Sequence, residues 1–208
     1  MVLVAVAGCT SSNAPDDPAS GPDGGSLVVR AGEGGFAMEP PRRPGRWWAS
    51  YAFPMCVEGG EPVEITAAEI AETVEPLDVE YRLLTYPAVE ATAGERVDIT
   101  RGGFLLGRPR QVQRGGDDVI QWDGLTRGSV APLIGARVST RCDADPGAVG
   151  QYVVASLRVD PDAGAAVSGL TMTYDVQGQR GVSSPTQWEM IACGGTVAQR
   201  AEFAESCG

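Results

Sequence analysis

From residue 46 onward strand signals dominate, and several stretches alternate apolar and polar residues with a period of two, the pattern of a strand with one buried face. Leu77-Asp78-Val79-Glu80-Tyr81-Arg82-Leu83 is the longest clean example and predicts a strand whose odd-numbered side chains face inward. Pro62-Val63-Glu64-Ile65-Thr66 alternates as cleanly over fewer residues. Residues 46–57 carry Trp47, Trp48, Tyr51, Phe53 and Met55, and stop at the turn Glu58-Gly59-Gly60-Glu61. Residues 152–159 and 170–176 are the two strongest strand candidates, and 187–193 closes the series. Shorter strands are expected around Val97-Asp98-Ile99, from Gly103 to Gly107, and between Ser129 and Cys142. Asp143-Ala144-Asp145-Pro146-Gly147 and Asp160-Pro161-Asp162-Ala163-Gly164 read as turns between them.

One stretch competes. Thr66-Ala67-Ala68-Glu69-Ile70-Ala71-Glu72-Thr73-Val74 has good helix formers and a Thr-x-x-Glu capping box, so it predicts either a short helix or a continuation of the strand from Pro62. No other stretch holds a 3.6-residue period. Some eight short strands with turn punctuation predict an all-β protein, an antiparallel β-sandwich of immunoglobulin-like type, with a small β-barrel as the alternative.

The N-terminus departs from this pattern. A short apolar run, Val2 to Ala7, leads into Gly8-Cys9, and Val6-Ala7-Gly8-Cys9 resembles the lipobox of bacterial lipoproteins. That resemblance implies acylation of Cys9 and a tether on the extracytoplasmic face of the cell membrane. The run is shorter than a usual signal core of roughly 7–15 residues and has no basic start, which fits a signal segment truncated in this sequence. Thr10 to Gly25 is a Ser/Pro/Gly/Asp tract with too little apolar area to fold. The expected organisation is a signal segment at 1–9, a flexible stalk at 10–45 and a β-sandwich domain at 46–208.

Composition narrows the chemistry. A formal charge of -11 argues against nucleic acid, whose phosphates need a basic surface, and against adhesion to anionic headgroups. All sixteen basic residues are arginine. Without histidine there is no Ser-His or Cys-His pair, no histidine metal site and no side chain poised to move protons near neutrality. Without lysine there is no Schiff base, no Ser-Lys dyad and no P-loop. Carboxylate chemistry and plain binding are left, with no cofactor and no metal expected.

Four cysteines follow Cys9, at Cys56, Cys142, Cys193 and Cys207, an even number that implies two disulfides in an exported domain. No C-x-x-C is present to favour zinc. Three connectivities are open. Cys56–Cys142 with Cys193–Cys207 is preferred, because the polar end from Gln199 to Gly208 has little apolar material to hold it down.

Other candidates are common patterns. Asp143/Asp145 and Asp160/Asp162 offer oxygen ligands to calcium, but neither follows the EF-hand spacing, and ordinary turns use the same residues. Asp117-Asp118 near Trp122 and Asp123 has the residue types of a glycosidase site, and equally those of an exposed hairpin. Glu58, Glu61, Glu64, Glu69, Glu72, Glu75, Asp78 and Glu80 read as a solvated strand face or as a dock for a basic partner. Arg42, Arg43 and Arg46 form a small basic cluster where stalk and domain are expected to meet. Trp47-Trp48 is the pair that regular strand geometry cannot send to one side, so one indole is expected to leave the core and form part of a binding surface.

The aromatic strand running into Cys56, followed by Gly59-Gly60 and Pro62-Val63-Glu64-Ile65-Thr66, resembles a group of uncharacterised actinobacterial secreted lipoproteins with an immunoglobulin-like domain. It covers residues 46–85 and the lipobox, and implies a fold and a location but no activity. The expected function is a membrane-tethered, non-catalytic binding or structural module of the envelope, with an envelope protein or other ligand as partner. A hydrolase using carboxylates alone is the alternative.

Overall fold

The structure, a computed structural model, describes residues 26–31, 34–42, 45–86, 103–114, 117–121, 128–144 and 150–207. Its elements are β1 (Ser26–Val29), β2 (Gly34–Met38), β3 (Trp47–Glu58), β4 (Val63–Val74), β5 (Asp78–Tyr86), β6 (Gly103–Leu106), β7 (Arg110–Arg114), β8 (Asp117–Gln121), β9 (Ser129–Pro132), β10 (Arg137–Val138), β11 (Gly150–Val159), β12 (Ala165–Val176), β13 (Gln179–Val182), β14 (Trp188–Ala192) and α1 (Gly195–Ala198). Sheet A runs β1-β3-β11-β5-β9, with β6 also paired to β3. Sheet B runs β10-β4-β12-β14-β2, with β13 also paired to β12. Neither sheet closes into a barrel. Among the described residues the strands pair antiparallel except β2 with β14, which is parallel, as is an isolated bridge between Val57 and Arg141.

The main core fills the space between the sheets. Ala49, Tyr51, Phe53, Met55 and Val57 of β3 face Ile65, Leu170, Met172, Tyr174 and Trp188 of sheet B. Tyr51 lies 4.6 Å from Phe53 and 5.0 Å from Trp188 between ring centroids, and Phe36 stacks on Tyr51 at 5.5 Å. Rings of this size stabilise by about 1.5–3 kcal/mol each on burial.

Val79, Tyr81 and Leu83 point inward as their odd numbering required, but Leu77, one residue ahead of β5, does not and is 47 % exposed. The stretch open between helix and strand is strand throughout: β4 runs unbroken from Val63 to Val74. Its pairing with β12 leaves Thr66 and Thr73 without partners, and Gly169 on β12 likewise. Each such bulge moves the inward set by one position. Val63 and Ile65 therefore face the core before Thr66, and Ala68 and Ile70 after it. That broken period is what imitated a helix.

The domain also starts earlier than expected. β1 and β2 fall inside the stretch 10–45 read as stalk, so the folded part reaches back to Ser26. They are short and glycine-flanked, and their place comes from pairing with β3 and β14. Residues 10–25 lie outside the described residues.

Two disulfides staple the body, Cys56–Cys142 with Cα atoms 4.8 Å apart and Cys193–Cys207 at 5.5 Å. This is the pairing preferred from the sequence. Cys193–Cys207 holds the terminal turns so that Val197 and Phe203 cover Ala166 and Ile191 on the outside of sheet B.

Candidate functional site

Register decides which tryptophan goes where. Trp47 sits opposite Val159 and Trp48 opposite Arg158. Trp47 is 6 % exposed and belongs to the main core, while Trp48 is half-buried on the outer face of sheet A. Over Trp48 lies the Arg108 guanidinium, 4.6 Å from the ring centroid. A partly exposed cation over an indole face is worth roughly 0.5–1 kcal/mol.

Arg108 is held in turn. Its Nη1 donates to Glu80 at 2.8 Å, and Arg82 donates to the other Glu80 oxygen from both Nε and Nη2. Burial alone pushes the Glu80 carboxyl up, but the hydrogen bonds and charges of Arg82 and Arg108 outweigh it and hold it below the ordinary carboxylate value. Next to this cluster the Ser50 hydroxyl donates to the Gly107 carbonyl at 2.6 Å and is hydrogen-bonded to Ser156 at 2.7 Å. Gly107 N–H donates to the Trp48 carbonyl at 2.8 Å.

These contacts have one geometrical cause. After β6, which pairs with β3, the chain turns at Gly107 and crosses the outer face of sheet A toward β9, where Val130 N–H donates to Gln111 at 2.9 Å. Pro109 is buried in this crossing. On the same outer face Ala52, Leu84, Tyr152 and Val154 form a second apolar cluster, separate from the main core. Most sandwich strands show water one face. β3 and β11 are instead buried on both faces over much of their length.

The cluster presents an indole and three charged side chains, above two buried hydroxyls that bond to each other. It can make directional contacts to a polar partner. A carboxylate driven down and shared by two arginines is the reverse of a general acid, whose pKa must rise.

The other candidates are not drawn together. Glu58, Glu61, Glu64, Glu69, Glu72, Glu75 and Asp78 are exposed, and only Glu80 of that run enters the cluster. Glu72 and Glu69 act instead on Tyr81: burial first, then the Glu72 charge, raises its phenol to about 12 against an opposing backbone hydrogen bond from Ile70, with Glu69 adding to the rise. Asp143 pairs with its neighbour Arg141 at 2.7 Å, and Asp160 caps its own turn by accepting from Asp162 N–H at 2.9 Å. Asp117 and Asp118 lie on β8. Arg42 and Arg46 are exposed. Cys9, Arg43, Trp122, Asp123 and Asp145 lie outside the described residues. Among the described residues no group of three or more His, Cys, Asp or Glu could hold a metal ion, and no helix is long and apolar enough to cross a membrane.

Sequence reasoning missed Arg108 and Gln151. Gln151 is buried at an inward position, where its Oε1 accepts from Ser139 N–H, Thr140 N–H and the Thr140 hydroxyl, and its Nε2 donates to the Arg137 carbonyl. A glutamine between apolar neighbours was the available signal for it. Arg108 gave none, since its partners lie on other strands. Compared with known proteins, the chain matches no protein-family model and no curated protein.

Proposed function

We propose that this chain is a lipid-tethered extracytoplasmic module of the cell envelope, acylated at Cys9, whose immunoglobulin-like sandwich works by contact and not by catalysis. The order β1-β3-β11-β5 corresponds to strands A-B-E-D of that fold and β4-β12-β14 to C-F-G, with the chain passing between the sheets in the matching sequence. The disulfide that joins strands B and F in antibody domains has no counterpart here; Tyr51, Phe53 and Trp188 fill the centre instead. The lipobox-like Val6-Ala7-Gly8-Cys9 and the disulfides support the compartment.

The observation that carries the contact reading is Trp48, a half-buried indole on an outer sheet face, with Arg108 over its ring, Glu80 holding Arg108, and Arg158 opposite it on β11. Tryptophan and arginine are the side chains that dominate binding surfaces. The test is a photo-crosslinking residue placed beside Trp48 in the full-length protein on native membranes. A discrete adduct that falls at least tenfold in Trp48→Ala, with a control residue on sheet B giving none, supports the reading. Equal adducts in both proteins overturn it. Intact-mass analysis decides the address: a diacyl mass on Cys9 is expected, and a protein retaining residues 1–8 in a soluble fraction removes it.

A further inference from the structure

We propose that the free edge of β4 is a docking site for an extended, arginine- or lysine-bearing segment of another protein, which adds to sheet B as a further strand. β10 pairs with β4 only at Val63 and Glu64, and Ile65 then bonds to Gly135 and Ala136 in the turn before β10. Beyond that point no strand among the described residues pairs with this side of β4, although β12 lines the other side as far as Val74.

Hydrogen bonds on β12 fix which backbone groups look outward. Met172 N–H donates to the Ser183 hydroxyl, and the Met172 carbonyl accepts from Ser183 N–H. Leu170 is engaged by Thr186 in the same two ways. Both residues therefore turn their backbone groups away from β4. In an antiparallel ladder their partners, Ala68 and Ile70, then turn theirs away from β12, toward the free edge. The Ile70 N–H accordingly goes to the Tyr81 phenol of sheet A. Among the described residues nothing takes up the Ala68 N–H and carbonyl or the Ile70 carbonyl, and these are what an added strand needs.

The side chains along the edge choose the strand. Thr66, Glu69, Ala71, Glu72 and Thr73 are exposed, and neither glutamate joins an ion pair among the described residues. Glu69 stands opposite Thr171 and Glu72 opposite the inward Val167, so the two carboxylates flank the edge on its two faces. Such charges repel a second copy of the same edge and attract a basic strand. The formal charge of -11 adds attraction at longer range. β9, at the edge of sheet A, is closed by other means: it ends in Pro132, and Gln111 takes the Val130 N–H. Trp48 lies on the outer face of sheet A, so the two surfaces are tested separately. The sheet B control for Trp48 then belongs on β13, across β12 from this edge.

Amide exchange by NMR on the oxidised full-length protein decides this, with end-blocked seven-residue peptides as probes. One is built of valine and threonine with two arginines three positions apart, the spacing of Glu69 and Glu72. The second has glutamates in place of the arginines, and the third is the arginine peptide N-methylated throughout, which removes its hydrogen-bond donors. The arginine peptide is expected to slow exchange of the Ala68 amide at least tenfold and to leave Thr171 unchanged. The other two are expected to bind at least tenfold more weakly. Replacing both Glu69→Gln and Glu72→Gln, two exposed side chains, weakens the arginine peptide about fivefold. An Ala68 amide unaffected at millimolar arginine peptide overturns the proposal. So does equal binding of either control peptide, or equal binding to the double variant.

Discussion

Gln151 holds more of the molecule than its size suggests. One buried amide satisfies two backbone N–H groups, a hydroxyl and a carbonyl from 137–140, the segment that leads to Cys142. Gln151→Ala removes that one buried link to four part-buried groups, and a loss of about 1–2 kcal/mol in urea unfolding is expected. Glu80 is partly screened, so Glu80→Gln is expected to cost only about 1–2 kcal/mol at pH 7. Its folded pKa lies below its unfolded one, so its contribution is present above the ordinary carboxylate range and lost as pH falls through the lowered value. The gap between the unfolding midpoints of wild type and variant therefore closes as the pH is lowered through that window. Tyr81 runs the other way. With a folded value of about 12 against about 10 unfolded, the folded state keeps a proton that the unfolded chain gives up, so stability drains away as pH rises from 10 toward 12. In Tyr81→Phe that part of the alkaline loss disappears, which urea midpoints at pH 9 and 11 measure.

At the scale of elements, β5 was legible from its period of two, and β3 and β11 from dense runs of aromatic and β-branched residues. β12 was only half seen, because its inward set changes parity at Gly169, where φ is +57°. Val167 faces the core before that residue and Leu170, Met172 and Tyr174 after it, so the residues ahead of the bulge did not extend the visible pattern. β13 was invisible for another reason. Where it ends and β14 has not begun, the Ser183 and Thr186 hydroxyls accept from Met172 and Leu170 N–H and take over the ladder. Hydroxyls standing in for a strand leave no periodic trace. The crossing over the outer face of sheet A is fastened by Arg108, Glu80 and Trp48, residues remote in sequence that no local pattern joins. Close backbone approach is equally silent, yet it is testable. A side chain at Gly194 would begin 2.2 Å from the Gly164 nitrogen, so Gly194→Ala must push the terminal turns off sheet B. A cost of about 2 kcal/mol is expected, seen as a lowered melting temperature.

For the molecule as a whole, the two staples act on different territory. Cys193–Cys207 closes 14 residues and secures the terminal turns alone, whereas Cys56–Cys142 spans 86 residues and fixes the end of β3 to the segment after β10. Replacing Cys193 and Cys207 together by serine is expected to cost about 3 kcal/mol and to expose the chain after Cys193 to proteases first, with the sandwich still folded. Limited proteolysis followed by mass mapping reads that order. β1 gives the body a mechanical character as well. Ser26 lies beside Glu58 and Val29 beside Met55, so the chain enters at the tip of the sandwich and runs inward along β3. A pull on the preceding residues, directed along the strands, draws β1 lengthwise past β3 and loads its rungs together instead of peeling them one by one. The rung at Val28 faces Cys56, so tension arriving there passes straight through the covalent link to Cys142 and spreads into the sheet.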